Sequence, residues 1–418
     1  MKKVTRTWPG GASSSGAPNG RSLTHRCSLG GSPRRETEAE FLGLLGEPLE
    51  SLRARFPVIP PWLRALSHAF AHHSLPNSVP LPTPLGEEPA VGFLNAIEPL
   101  LRHGLDRFRN QAQQLIQQRP DAPLGSVTLE AVFLSDLPRQ LMTMLSRTMV
   151  LELNVARVEG VLDGATPEDR FQSFVERLRH PETGLRILRE YPVLARQLVV
   201  RIDQWVRLVL EFLGRLCADW DVMQHTFSAD KEAGVLKRLK TGAGDPHRMG
   251  RSVVISEFSS GLRLVYKPRS MAADIHFQEL LRWFNQRGIV PALRALQILD
   301  RGTHGWVQFI APQRCDSEAA LSRFYERQGA YLALLHVLAA TDFHCENVIA
   351  AGEDPVLVDL EAIFHPSLSG SQAERDDETE RLIEGSLLRV GLLPLRIGAN
   401  AESDDAPTCS GVGKGRHG

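Results

Sequence analysis

Residues 341–361 read TDFHCENVIAAGEDPVLVDLE and place several polar side chains around two short apolar runs. Asp342 and Asn347 are five residues apart, and Asp359 follows Asn347 by twelve residues. Phosphoryl transfer of the protein-kinase type uses one aspartate as a proton acceptor, and an asparagine and a second aspartate as Mg²⁺ ligands. The stretch therefore predicts a site for ATP and Mg²⁺, since this hard cation prefers such oxygen ligands.

The chain before this stretch carries a candidate lysine for the same chemistry. RSVVISEF (251–258) and LRLVYKP (262–268) are short runs rich in β-branched residues, and the SSG between them predicts a hairpin. Lys267 lies on the second run, where it would contact the nucleotide phosphates. A helix is predicted over 272–288, and its Glu279 is a candidate partner for the lysine.

The remaining elements complete an order typical of a kinase-like fold. Asp316 or Ser317 is expected to cap a long helix that leads into the polar stretch. The order after the first helix is strand, strand, helix, loop, strand, strand. These elements are predicted at 293–300, 305–312, 317–340, 347–350 and 355–360.

Composition and apolar periodicity divide the chain into four parts. Apolar residues recur at spacings of three and four in 95–118, 137–153 and 196–220, and the last of these is apolar over so much of its surface that we expect a central, buried helix. A last helix is expected over 376–393. The predicted fold class is α+β, with a disordered N-terminus, a helical part, a kinase-like core and a divergent tail, over 1–36, 37–235, 236–395 and 396–418.

The loop before the first predicted strand departs from the kinase pattern. No G-x-G-x-x-G motif occurs there, and the chain reads TGAGDPHRMGRS (241–252) instead. Its three glycines would allow backbone N–H groups to approach phosphates. Asp245 and His247 add polar groups that an ordinary glycine loop lacks. A tight turn with a salt-bridged aspartate is the alternative interpretation.

Composition and charge exclude several classes of protein. The chain has 418 residues and a formal net charge of −1, which gives no electrostatic reason to expect nucleic acid as a partner. Its five cysteines form no CxxC motif, so neither a zinc knuckle nor a disulfide framework is indicated. No apolar run approaches a membrane span, and the basic N-terminus lacks the apolar segment of a secretory signal. We expect a cytoplasmic protein.

Five longer motifs follow one another along the chain: VLELNVARVEGVLDGATPEDRFQSFVERL, GAGDPHRMGRSVV, LVYKPRSM, HFQELLRWFN and TDFHCENVIAAGEDPVLVDLEAIFHP. Together they resemble one family, the class II lanthipeptide synthetases (LanM family), in their N-terminal dehydratase domain. The resemblance covers about residues 40–395 and implies a lipid-kinase-like core with a helical N-terminal extension. Such a domain phosphorylates Ser and Thr of a ribosomally made precursor peptide with ATP and Mg²⁺, then eliminates the phosphate to leave dehydroamino acids.

The resemblance also assigns roles to individual positions. Asp342 would deprotonate the peptide hydroxyl, with His344 assisting in the same loop. The polar residues Asp245, His247 and Glu361 match positions of the family whose detailed roles stay open. The full set is Asp245, His247, Asp342, His344 and Glu361 as catalytic residues, Lys267 as a nucleotide contact, and Asn347 and Asp359 as metal ligands.

The chain also departs from the family. Leu360 and Glu361 follow the metal aspartate, where kinases have Phe and Gly. Family residues used in elimination, and the Cys and His ligands of the zinc cyclase domain, find no counterpart. We therefore expect a truncated synthetase with an incomplete large lobe, a gene fragment or a frameshifted product. A non-catalytic peptide-binding remnant and a kinase that stops at the phosphopeptide are the alternatives.

Overall fold

The computed structural model describes most of the chain between residues 43 and 409, in two compact units, Met1–Ile59 and Pro60–Gly418. The first unit contains one described helix, α1 (Leu49–Arg55). The predicted disorder of 1–36 lies outside the described residues, as does nearly all of the predicted tail 396–418. The described residues are 43, 46–55, 58–72, 89–124, 126–228, 232–242, 250–288, 290–364, 383, 385–393, 395–396 and 408–409.

The second unit begins with helices, several of which start at a proline. Proline suits the first helical turn because its φ is already helical and its missing N–H has no partner there. Thr166 adds a capping box, since its side chain and that of Asp169 each accept a hydrogen bond from the other's backbone N–H. These helices are α2 (Pro61–Ala71), a 3₁₀ helix (Pro89–Ile97), α3 (Glu98–Gln118), α4 (Ser126–Val158), α5 (Pro167–Leu178), α6 (Pro181–Glu190) and α7 (Pro192–Phe227).

Helix α7 is the central element of this helical part. It spans 36 residues, and buried positions recur along its whole length, which confirms the predicted buried helix. None of its residues, nor those of any other described helix, forms a stretch long and apolar enough to cross a membrane.

A five-stranded antiparallel sheet follows, with strand order β1-β2-β3-β5-β4. The predicted hairpin is confirmed: Ile255 of β2 pairs with Val265 of β3. Helix α8 (Ala272–Gln286) connects β3 to β4. The strands are β1 (Leu236–Lys240), β2 (Val254–Phe258), β3 (Arg263–Lys267), β4 (Ile298–Asp300) and β5 (Gly305–Gln308).

The two faces of the sheet pack against different layers because side chains alternate along a strand. Tyr266 of β3 and Trp306 of β5 face the helical part, where both rings contact Phe212 of α7. Val265 and Val307 face the opposite way and belong to a separate apolar cluster. Lys267, two residues after Val265, shares that second face.

The second face of the sheet meets the C-terminal elements. Ser317 caps α9 by accepting a hydrogen bond from the N–H of Ala320, as one of the two predicted caps. The observed architecture confirms the α+β class. The C-terminal elements are α9 (Glu318–Val337), β6 (Val348–Ala351), β7 (Asp354–Leu357), a 3₁₀ helix (Leu387–Val390), β8 (Leu395–Arg396) and β9 (Thr408–Cys409).

Three elements differ from the sequence-based expectations. Strand β1 was not anticipated, and the strand predicted at 293–300 pairs only over β4. The helix predicted over 376–393 is wrong at its end, where the chain forms a 3₁₀ helix and leaves it at Gly391, whose φ of +84° is left-handed. Most of the earlier part of that helix lies outside the described residues.

Candidate functional site

Lys267 is the last residue of β3, and its ammonium group contacts oxygen atoms of two other elements. The side chain is nearly buried, and Nζ donates to Oδ1 of Asp274 at 3.2 Å and to the carbonyl oxygen of Val358 at 2.5 Å. Asp274 lies in the first turn of α8 and is 3% exposed. The lysine is therefore joined both to the helix that follows it and to the residue before Asp359.

The expectation that Glu279 pairs with this lysine is wrong. Glu279 is largely exposed and its carboxylate contacts Nδ1 of His276 at 2.9 Å. Five residues separate Asp274 from Glu279, which places them about 140° apart around a helix. Only the side of α8 that carries Asp274 faces the lysine, so the shorter aspartate in the first turn makes the ion pair.

The backbone of Asp342 has an unusual conformation, which neighbouring residues stabilise. Its φ is +70°, in the left-handed region that L-residues rarely adopt. Phe343 is fully buried and donates its N–H to the carbonyl oxygen of Val390 at 2.9 Å. Nδ2 of Asn347 donates to the carbonyl oxygen of Asp342 at 2.7 Å. The loop is thus fixed on both sides, while the Asp342 carboxylate remains 64% exposed.

His344 lies against the Asp342 carboxylate. Its Nε2 is 3.3 Å from Oδ1 of Asp342, and its Nδ1 accepts the N–H of Glu346 at 3.2 Å. A neutral imidazole that accepts at Nδ1 carries its proton on Nε2, so it can donate to Asp342. The predicted pair is brought together, with the histidine placed to orient the carboxylate.

Asn347 and Asp359 flank the same end of the β6–β7 hairpin. Val348 pairs with Leu357, and the N–H of Val358 donates to the carbonyl oxygen of Asn347 at 3.0 Å. Because Nδ2 of Asn347 donates to the backbone of Asp342, Oδ1 is the side-chain atom that can bind a ligand. An amide oxygen and a half-exposed carboxylate suit Mg²⁺, which completes its shell with water and phosphate oxygens.

No cluster of three or more His, Cys, Asp or Glu ligands occurs among the residues that the structure describes. The Asn347–Asp359 pair therefore differs from a closed structural metal centre, in which the protein supplies all the ligands. It fits a cation that arrives with its own oxygen ligands, as Mg²⁺ does when bound to nucleotide phosphates.

Arg269 is a residue of this site that the sequence-based prediction missed. It follows Lys267 by two positions, and its guanidinium contacts Asp274 Oδ2 at 2.6 Å, Glu361 Oε1 at 2.7 Å and Asp359 Oδ1 at 3.6 Å. Burial alone would lower the pKa of Arg269, but the three carboxylates more than offset this and raise it. The sequence signal that could have identified it is the two-residue spacing of Lys267 and Arg269, which places both side chains on one side of an extended chain.

Glu361, whose detailed role the sequence analysis left open, forms an ion pair with this arginine. It is 44% exposed, and its N–H donates to Oδ1 of Asp359 at 3.3 Å in the turn after β7. Glu361 and Asp359 therefore form one acidic turn, and the Arg269 guanidinium lies between that turn and α8.

The glycine-rich loop is described only at its two ends. Gly242 and Gly250 both have positive φ values, +70° and +89°, and the Gly242 N–H donates to Oγ of Ser252 at 3.0 Å. Asp245 and His247, the two polar residues predicted for this loop, lie outside the described residues. The ends of the loop have the backbone conformation that favours glycine.

The chain is similar to a known protein family and to a curated protein. A family model described as a domain of unknown function (DUF4135) matches residues 191–417. A curated relative, the lacticin 481/lactococcin biosynthesis protein LcnDR2 of Lactococcus lactis subsp. lactis, is 27% identical over 281 residues. The match covers 64% of this chain and 30% of the relative, so the chain spans about a third of that protein's length. These matches confirm the resemblance to the LanM family.

Proposed function

The chain belongs to the DUF4135 family, that of the dehydratase region of LanM-type proteins, and on this basis we propose that it acts in lanthipeptide biosynthesis. In the proposed reaction the γ-phosphoryl group of ATP is transferred to Ser and Thr hydroxyls of a precursor peptide. Elimination of the phosphate then leaves dehydroalanine or dehydrobutyrine. The proposed fold of the catalytic part is kinase-like.

The observation that carries this proposal is the pairing of Lys267 with Asp274. Protein kinases require an ion pair between a lysine on the third strand and an acid on the next helix. Here the lysine is the last residue of β3, and the acid lies in the first turn of α8. Their charged atoms are 3.2 Å apart. The same Nζ reaches the carbonyl oxygen of Val358, which adjoins the proposed metal ligand Asp359.

Asp342 is the proposed base for the peptide hydroxyl. Its carboxylate is exposed enough to meet a substrate, and His344 holds one of its oxygens through Nε2. The other oxygen can accept the hydroxyl proton as that hydroxyl attacks the γ-phosphorus atom. The hydrogen bond from Asn347 to the Asp342 backbone keeps the base and the proposed metal ligand in a fixed relation.

Asn347 Oδ1 and Asp359 are the proposed ligands of Mg²⁺, which when bound neutralises charge on the phosphate oxygens. Lys267 would contact the same phosphates from the sheet side. The elimination half of the reaction is supported by family membership alone. Chemically, phosphorylation makes it easier, because phosphate is a better leaving group than hydroxide and a base need then only remove the α-proton.

The first test measures ATP binding to the full chain, with and without Mg²⁺. We expect Mg²⁺-dependent binding that Asp342→Asn retains. Transfer of phosphate to a Ser- and Thr-containing lacticin-type precursor peptide should fall by at least about 100-fold in the same variant, because the proton acceptor is gone. Transfer that survives Asp342→Asn would remove the role assigned to Asp342.

Mass spectrometry of the peptide separates the complete reaction from its first half. A loss of water indicates phosphorylation followed by elimination, whereas a gain of phosphate that persists indicates a kinase that stops at the phosphopeptide. Peptide binding without any ATP binding by a folded sample would contradict the proposal and favour a non-catalytic peptide-binding protein.

A further inference from the structure

Arg269 binds the acidic turn that contains the proposed metal ligand. Its guanidinium joins Asp274 on α8 to Glu361 and Asp359 after β7, and it is 24% exposed. A planar guanidinium with several N–H donors can bridge carboxylates from separate elements in this way. A cation that binds Asp359 therefore enters a site already occupied by a positive charge.

The charges around this point are nearly balanced before any metal arrives. Lys267 and Arg269 supply two positive charges, while Asp274, Asp359 and Glu361 supply three negative ones. A free divalent cation would leave the group with an excess of positive charge. A cation that arrives with nucleotide phosphates brings the negative charge that compensates it.

We propose that Arg269 is a positioning residue that weakens the binding of a free divalent cation at Asp359 and so makes cation binding depend on nucleotide. This inference rests on the proposed function, in that it assigns Asp359 to the metal site. By linkage, an arginine that opposes the cation alone, but not the cation with phosphates, raises the coupling between the two ligands. Free Mg²⁺ would then bind weakly, and the site would hold Mg²⁺ mainly together with ATP.

The test measures Mn²⁺ binding to the full chain by electron paramagnetic resonance, in the absence of nucleotide. Arg269→Gln should bind Mn²⁺ roughly fivefold more tightly than the wild type, as expected for the removal of one partly exposed opposing charge. Arg269→Lys, which keeps the charge, should stay within about twofold of the wild type. ATP should tighten Mn²⁺ binding less in Arg269→Gln than in the wild type.

Controls separate this effect from general changes in charge. Arg238→Gln removes an arginine from an ion pair with Glu257 at the exposed surface of the same sheet and should leave Mn²⁺ binding unchanged. In an Asp359→Asn background, Arg269→Gln should have no effect, because the two residues act on the same event. Urea unfolding of each variant verifies that the sample is folded.

Three outcomes would overturn the inference, and they are distinguishable from one another. If Asp359→Asn abolishes Mg²⁺-dependent ATP binding but Arg269→Gln binds Mn²⁺ no more tightly than the wild type, the proposed function stands and the competition does not exist. If Asp359→Asn binds Mg²⁺ and ATP normally, Asp359 is not the metal ligand, and both proposals fall. Equal tightening in Arg269→Lys and Arg269→Gln would also contradict the role of charge.

Discussion

Asp219 and Asp359 are both aspartates surrounded by donors, yet their surroundings differ in one decisive respect. Asp219 on α7 is 2% exposed, and three side chains of the β4–β5 hairpin donate to it, each at 2.8 Å: Arg301, His304 and Trp306. Asp359 is 47% exposed, and among the described residues its side chain contacts Arg269 at 3.6 Å and a backbone N–H of its own turn. A buried carboxylate that accepts three hydrogen bonds from the protein holds the structure together, whereas a half-exposed one with few protein donors can still bind a ligand.

The largest effect is expected from removal of the buried carboxylate of Asp219. Asp219→Ala leaves the donors of His304 and Trp306 without their acceptor inside the protein, and the unfolding free energy should fall by about 3–5 kcal/mol. Urea denaturation measures the change. Asp221→Ala, on the same helix but 75% exposed, is the matched control and should cost less than about 1 kcal/mol. Equal effects of the two variants would contradict the structural role of Asp219.

The converse change at the open site should affect binding and spare stability. Asp359→Asn should weaken Mg²⁺-dependent ATP binding by at least about tenfold, because a neutral amide is a poorer ligand for a hard cation. Its unfolding free energy should change by less than about 1 kcal/mol, since the lost ion pair is half exposed. Titration calorimetry measures the binding.

Glu353→Gln is the control for this variant at the opposite end of the same hairpin. Glu353 pairs with Arg323 and Arg327 and lies in the turn between β6 and β7. The Glu353→Gln variant should leave ATP binding unchanged. A loss of stability in Asp359→Asn as large as that in Asp219→Ala would remove the distinction between the two aspartates.

His103 of α3 is an intermediate case, because its side chain is neither fully buried nor fully exposed. Burial lowers its pKa, as do Arg107 and His68, and Asp203 and Asp106 only partly oppose this. The folded protein therefore binds this proton less readily than the unfolded chain does. Stability should fall as the pH drops below the ordinary histidine pKa of about 6.5.

The histidine effect should be the smallest of the three. Urea unfolding at about pH 7.5 and about pH 5.5 should show less loss of stability on acidification in His103→Asn than in the wild type, because the substituted side chain does not titrate. An identical pH dependence in the two proteins would show that His103 does not contribute.

Sequence periodicity predicted the long helices and the β2–β3 hairpin, whose backbone hydrogen bonds form within one segment. It failed where a bulge interrupts the alternation of a strand, or where side chains from another element satisfy the backbone. Strand β1 was not predicted because a bulge between Leu236 and Arg238 interrupts the alternation of its side chains between the two faces. The segment before β4 looks like a strand, but side chains of α8 satisfy its backbone. Asn285 both donates to and accepts from the backbone of Leu293, and Gln278 accepts the N–H of Leu296.

The site was predicted in the same uneven manner. Spacing along the chain was enough to bring Asp342, His344 and Asn347 into one loop, because that loop is a local structure. The partner of Lys267 depends on which side of α8 faces the sheet, and the sequence spacing alone did not favour Asp274 over Glu279. Arg269 was missed because its role follows from three carboxylates on two separate elements.

The left-handed backbone at Asp342 has a consequence for mutational tolerance at that position. In a saturation library, Gly and Asn would pass the conformational requirement, whereas Val, Ile and Thr would fail it before any chemistry is assayed. Inactive clones at position 342 therefore fall into two populations, misfolded loops and intact loops without a carboxylate. Selection for activity would enrich Asp alone, while selection for soluble expression would enrich Asp, Asn and Gly together.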